Sequence, residues 1–250
     1  MKGIRSREKK SKGMKLFCFK DVSKGNPPIL ILHFMFIRKY REEDRKSIER
    51  INFETGFLGQ SMNKLISSPK LWTWGIKHYL DHEPESVFVA EENGQVIGYV
   101  LGFLKDLKYD KKKAVAKSIL RNLRFLWSFA LEDKIFWLDK LRESFVLFIK
   151  SIFSKGFKEP KNAGHLHINL LPSIRGKNIG SQLLNRFFEY ARKKKVKLIY
   201  ANSYQRAENL ENNFWTKNGF KEFSKIKTDF WKLILPEKEI YLVCYVKNLA

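Results

Sequence analysis

The sequence predicts an α/β fold, with helices packed on a sheet. Three observations predict it. First, Asn93-Gly94 joins two runs rich in Val, Ile, Phe and Tyr, and Asn-Gly between such runs is the strongest short hairpin signal. Second, an amphipathic helical pattern from Ile179 to Arg192 is followed by a strand-like run from Val196 to Ala201. Third, an apolar strand reaching Leu170-Leu171 breaks at Pro172 into a basic turn with glycines, which opens that helix.

Residues 1–34 read as a basic leader outside the fold. They begin polar and charged, pass through Pro27-Pro28 and end in a short apolar run, too short and too late for a secretory signal. Met35 or Met14 is read as a true initiator, with a functional basic tail as the rival reading. The domain is placed at 35–250. Phe36 to Tyr40 reads as its first strand. Asp44 reads as an acidic N-cap, followed by Ile48, Ile51 and Phe57 at helical spacing. Gly56 and Gly59 break this helix, and a second runs from Ser61 or Pro69 to Leu80. The Asn93-Gly94 hairpin spans Phe88 to Gly102.

Residues 104–161 interrupt the domain with an inserted helical hairpin. Its arms are Ala114 to Ala130 and Lys134 to Phe153, both carrying Trp, Phe and Leu stripes laced with Lys and Arg. Glu132-Asp133 forms the joint, and Gly156 and Pro160 end the unit. Three roles stay open for it: an extension of the core, a lid shaping an acceptor site, or a basic surface lying on an anionic membrane.

The turn Arg175-Gly176-Lys177-Asn178-Ile179-Gly180-Ser181 carries the most chemistry. A strand-to-helix turn gathers backbone N–H groups, and the helix N-terminus adds partial positive charge. A pyrophosphate suits such a place, with Arg175 and Lys177 adding charge and the glycines allowing close approach. An ordinary β–α turn is the plain alternative.

Composition sets the frame. The chain has 250 residues and a formal net charge of +23, which favours acidic partners. Phosphate-bearing ligands, nucleic acid, anionic lipid and acidic proteins all qualify, although a lysine bias set by the nucleotide composition of the genome would also raise the charge. No apolar run approaches the roughly 20 residues that a spanning helix requires. Cys18 and Cys244 form no metal or redox spacing, and a reduced, cytoplasmic setting is expected.

Arg175-x-x-Asn178-x-Gly180 resembles the (Arg/Gln)-x-x-Gly-x-(Gly/Ala) loop of the GNAT acetyltransferases. Asn213-Phe214-Trp215-Thr216-Lys217-Asn218-Gly219-Phe220 resembles that family's closing signature, and Phe88 to Gly102 resembles its second hairpin. His165 to Pro172 is similar to a bacterial subgroup related to the acetyltransferase-like domain behind some O-GlcNAc hydrolases. The resemblance covers about residues 35–250. It implies a mixed, mostly antiparallel sheet with a splayed fourth strand, and acetyl-CoA as co-substrate. It also implies acetyl transfer to an amine of a small molecule or protein.

By resemblance, Asn169, Leu170 and Leu171 meet the pantetheine arm and thioester. The pyrophosphate falls to Arg175, Gly176, Lys177, Asn178, Ile179, Gly180 and Ser181. Asn178 stands where the family has its middle glycine, and Asn is among the few residues that tolerate a left-handed backbone. Trp215 occupies the place of a common Tyr acid. An indole N–H has no usable acidity, so Trp215 is expected only to pack on the pantetheine arm. Tyr204, on the loop after the fifth strand, or water would protonate the leaving thiolate.

Strand alternation puts His165, His167 and Asn169 on one face. Asn169 cannot take a proton but a His can, so His167 is the first candidate base and His165 the second. The plain reading is two histidines hydrogen-bonded in a half-buried strand. Glu54, His82 and Glu83 read as solvated surface groups, with the acceptor side as their functional alternative. No cysteine joins the histidines, and no metal site is read. Two rival functions remain: a CoA-binding module without efficient transfer, given Asn178, Asn169 and Trp215, and a membrane- or nucleic-acid-associated protein. No motif for specific nucleic-acid reading is present.

Overall fold

The computed structural model describes residues 15–17, 33–64, 69–104, 157–228, 235 and 237–250. Eight strands and four α-helices lie among the described residues. In chain order they are β1 (Lys15–Phe17), β2 (His33–Lys39), α1 (Arg45–Thr55), α2 (Pro69–His82), β3 (Phe88–Glu92) and β4 (Gln95–Phe103). They continue with β5 (Gly164–Leu170), α3 (Ile179–Lys193), β6 (Leu198–Arg206), α4 (Phe214–Lys217), β7 (Lys221–Lys227) and β8 (Ile240–Asn248). The expected helical hairpin at 114–153 lies outside the described residues, as does Cys18. The described residues divide between two compact units, Met1–Gly102 with Ile168–Tyr190 and Phe103–His167 with Ala191–Ala250.

In the first unit the strands run in the order β1-β2-β3-β4, each antiparallel to its neighbour where they pair. β1 draws on the stretch read as a leader: Lys15, Leu16 and Phe17 pair with Met35, Phe34 and His33. The β3–β4 hairpin turns as expected, with Asn93 at φ 50 and Gly94 at φ 78, so both central residues are left-handed. The last residues of β5 lie beside β4, where the Leu171 N–H donates to the Ile97 carbonyl at 3.0 Å.

α1 buries Ile48 and Ile51, and α3 buries Leu183, Leu184, Phe187 and Phe188. These positions follow the helical repeat that the sequence shows. Asp44 does not act as the expected N-cap. Its side chain makes no bond to the α1 backbone. It accepts instead from the Arg41 N–H at 2.8 Å and from the Arg38 guanidinium at 2.6 and 2.8 Å. An ionised partner on β2 outcompetes a cap, because charge-assisted fork contacts are the stronger bonds.

Packing of α3 on the hairpin depends on Gly102. A Cβ there would stand 2.1 Å from Phe187 Cε2, inside the fully buried ring. Replacing Gly102 with Ala should therefore cost about 1–3 kcal/mol, read as a lowered denaturant midpoint, because an overpacked core must shift. An unchanged midpoint would contradict this close approach.

In the second unit β6 lies between the start of β5 and β8, and β7 forms the edge beyond β8. β6 pairs with β8 over its whole length, antiparallel. Its parallel ladder with β5 is confined to Gly164 with Ile199 and His165 with Tyr200. The ladder stops there, which is the splay expected of the fourth strand of the resembled sheet. The protein is thus an α/β fold with a mixed sheet. Cys244 is fully buried on β8. Among the described residues no helix is long and apolar enough to cross a membrane.

Candidate active site

β5 positions the site. Its side chains alternate, with Leu166 buried and His165, His167 and Asn169 at the positions between. The His165 ring lies 4.6 Å from the Tyr200 ring, tilted by 46°. His167 buries its Nε2, and burial pushes its pKa down to about 4. It is neutral at physiological pH but only weakly basic.

Asn169 joins a polar set inside the first unit. The fully buried Tyr99 hydroxyl donates to Asn52 Oδ1 of α1 at 3.1 Å. Burial raises the Tyr99 pKa well above the ordinary phenol range, and a hydrogen bond with the Asn169 side chain opposes that rise. Tyr99 therefore stays a protonated donor, and Asn52, Tyr99 and Asn169 tie α1, β4 and β5 together. Next along the strand, Leu170 covers Gly98, where a Cβ would meet Leu170 Cδ2 at 2.4 Å.

After Leu171 the chain makes a 3-10 turn over Pro172–Ile174, pinned by the buried Ile174 side chain. The next four residues, Arg175, Gly176, Lys177 and Asn178, are exposed. Gly176 has φ 80 and Asn178 has φ 61. Asn178 thus takes the left-handed conformation for which the family uses glycine. A Cβ on Gly176 would meet nothing within 4 Å, so the loop opens to solvent there.

α3 begins directly behind, with Ile179 and Gly180 buried and Ser181 half-buried. The Gln182 N–H reaches Asn178 O at 3.2 Å, and the N–H groups of the preceding turn have no intrahelical acceptor by helix geometry. A helix start beside the exposed Lys177 and the left-handed Gly176 and Asn178 is chemically suited to a pyrophosphate. Arg175 departs from expectation. Its Nη2 donates to the Gly59 carbonyl at 2.6 Å and to the Leu170 carbonyl at 3.2 Å, so its fork serves the protein.

In the second unit Tyr204 lies within β6, opposite Leu242 of β8, and not on the loop after that strand. Burial pushes its hydroxyl up to about 12. That makes it a weaker acid than an ordinary thiol near about 8.5. Trp215 is 6% exposed. It stacks on Tyr245 at 5.9 Å and meets the Phe220 and Phe214 rings edge-on at 5.1 and 5.3 Å. The expectation of a pantetheine-packing Trp gives way to a core role, because the aromatic cluster already covers the indole.

Asn213 organises this cluster. It caps α4 through Trp215 N at 2.8 Å and Thr216 N at 3.2 Å, and donates to the Tyr245 hydroxyl at 2.9 Å. Of the outer candidates, Glu54 faces Arg50 at 3.7 Å and His82 is exposed beside His78. Glu83 is buried at 1% exposure, so it is not a solvated surface group.

Nothing local in the sequence signals Asn52, Tyr99 or the Gly59 carbonyl. Asn213 carries a signal: an Asn with a Thr three residues on, at a helix start.

A family model described as the acetyltransferase (GNAT) family matches residues 59–220. No curated protein matches the chain in sequence. Among solved structures, SsHAT is 23% identical with a TM-score of 0.60, covering 86% of this chain and 98% of its own. A polyamine N acetyltransferase from Drosophila melanogaster, described as forming N acetylagmatine, is 14% identical with a TM-score of 0.53. That match covers 86% of this chain and 99% of that one. Both likenesses bear on the fold.

Proposed function

The chain belongs to the GNAT acetyltransferase family, whose co-substrate is acetyl-CoA, and from that premise we propose transfer of the acetyl group to an amine of a small molecule or protein. The observation that carries the reading is the loop from Leu171 to Asn178, exposed from Arg175 onward. It holds Gly176 and Asn178 left-handed at the start of a fifteen-residue helix. The similarity of His165 to Pro172 to the bacterial subgroup related to the O-GlcNAc hydrolase-associated domain belongs to the same proposal.

Bound acetyl-CoA supplies an activated thioester, and transfer forms one C–N bond, breaks one C–S bond and releases a thiol. The chain contributes placement first. The loop N–H groups and Lys177 hold the pyrophosphate, and Asn169 to Leu171 align the arm and the carbonyl. The incoming nitrogen must shed a proton as it attacks. His165 takes that role in this reading, because burial leaves His167 too weak a base. Tyr204 donates a hydrogen bond more readily than a proton, so water protonates the sulfur. The net charge of +23 favours an anionic co-substrate and acidic acceptors.

The test is thiol release from acetyl-CoA with a panel of amines: diamines, amino-sugar phosphates, free amino acids and peptides with Lys or a free N-terminus. At least one amine should accelerate release, and His165→Gln should slow that acceleration about 10- to 100-fold. CoA binding without any amine-dependent release would favour the binding module instead.

A further inference from the structure

The turn joining α1 to the following 3-10 segment is held by a side chain of the cofactor loop. Phe57 and Gln60 exchange backbone hydrogen bonds at 2.9 and 2.7 Å. Between them Leu58 has φ 48 and Gly59 has φ 88, the geometry of a tight two-residue turn. The Gly59 carbonyl accepts from Arg175 Nη2 at 2.6 Å, and the same nitrogen reaches the Leu170 carbonyl at 3.2 Å. A Cβ on Gly59 would stand 3.0 Å from Arg175 Nη1, so the guanidinium rests against the bare glycine. Arg175 thus bridges the end of β5 and the 57–60 turn.

We propose that Arg175 is a positioning residue that couples occupancy of the 171–178 loop to the conformation of the 57–60 turn. The inference rests on the reading of that loop as the cofactor site. The loop carries few constraints of its own. Gly176 to Asn178 are exposed, so no packed side chain of theirs fixes the loop. An anion bonded to its N–H groups narrows the range it samples. The Arg175 backbone is narrowed with it, and the guanidinium then holds the Gly59 carbonyl for a larger fraction of the time. Coupling of this kind is reciprocal: whatever orders the 57–60 turn favours the loop conformation that binds the donor.

The experiment is hydrogen exchange of the full chain with and without saturating coenzyme A, followed by peptide mass spectrometry. In the wild type, coenzyme A should slow exchange in residues 171–184 and also, about fivefold, in residues 55–62. Arg175→Lys keeps a positive charge for the phosphates but cannot span both carbonyls with a planar fork. In that variant protection at 171–184 should remain and the coenzyme-dependent change at 55–62 should fall below half. Arg175→Gln serves the same comparison should the Lys variant fail to fold. A merely structural tie would raise exchange at 55–62 in both conditions and leave the coenzyme-dependent change intact. That result would overturn the coupling, as would wild-type protection confined to 171–184. Absence of protection at 171–184 would overturn the cofactor-loop reading, and the coupling with it.

Discussion

Lys177→Glu combined with Asn178→Asp should abolish the stabilisation that acetyl-CoA gives this protein. Both residues are exposed on the loop before α3, so the fold should tolerate the exchange. Asp tolerates a left-handed backbone much as Asn does, which leaves the φ of 61 at this position undisturbed. What changes is charge: two carboxylates replace one ammonium and one amide at the proposed pyrophosphate site. At about a hundredfold excess over Kd, a ligand that binds only the folded state stabilises by about 2.7 kcal/mol. In a chain of this size that is a rise in thermal midpoint of about 5–10 °C. The double variant should shift by less than about 1 °C under the same conditions, while its melt without ligand stays close to the wild type. An undiminished shift would place the phosphates elsewhere on the molecule.

What the sequence made legible is local. Asn93-Gly94 turns the β3–β4 hairpin because its backbone needs lie within two residues. The loop from Arg175 to Gly180 announced itself because left-handed positions, a Pro break and a helix start all lie within ten residues. Asn178 stands where the resembled loop has a glycine, and Asn tolerates the left-handed backbone it adopts. What stayed hidden is set by tertiary contact. The Tyr99 and Asn52 side chains meet across 47 residues, and Arg175 reaches Gly59 across 116. No spacing rule records such partners. Glu83 and Trp215 were misjudged for the same reason: residue type gives an average tendency to be wet or reactive, and neighbours decide. Asp44 shows the competition directly. Its position suits a cap, yet Arg38 on β2 takes its carboxylate.

That ion cluster leads to the largest stability effect expected in the first unit. Arg38 gives a fork to Asp44 at 2.6 and 2.8 Å and its Nε to Glu91 at 2.6 Å. Its side chain is 16% exposed, and those of Asp44 and Glu91 are 7% and 15% exposed. Arg38→Met keeps the stem and removes the charge, leaving two carboxylates in a site that water scarcely reaches. Breaking a buried pair on one side costs about 3–5 kcal/mol, and partial exposure favours the lower end. The thermal midpoint should fall by about 6–12 °C at pH 7. The pH dependence separates this from simple loss of packing. Burial raises the Asp44 pKa, but the Arg38 bonds and the Arg41 N–H outweigh it, and the net shift is downward. In the wild type, therefore, Asp44 stabilises the fold above its ordinary pKa near 3.9, and that stability is lost as the pH falls through the folded value. In Arg38→Met burial is no longer opposed by the guanidinium, only by Arg41, so the Asp44 pKa rises above its wild-type value. The folded variant then takes up a proton at a higher pH than the folded wild type does, and its stability relative to wild type recovers as the pH falls from 7 towards 4. His167, pushed down to about 4, adds the same slope to both proteins and cancels in the difference. A deficit constant from pH 7 to pH 4 would mean that the loss in Arg38→Met does not come from an uncompensated Asp44 carboxylate.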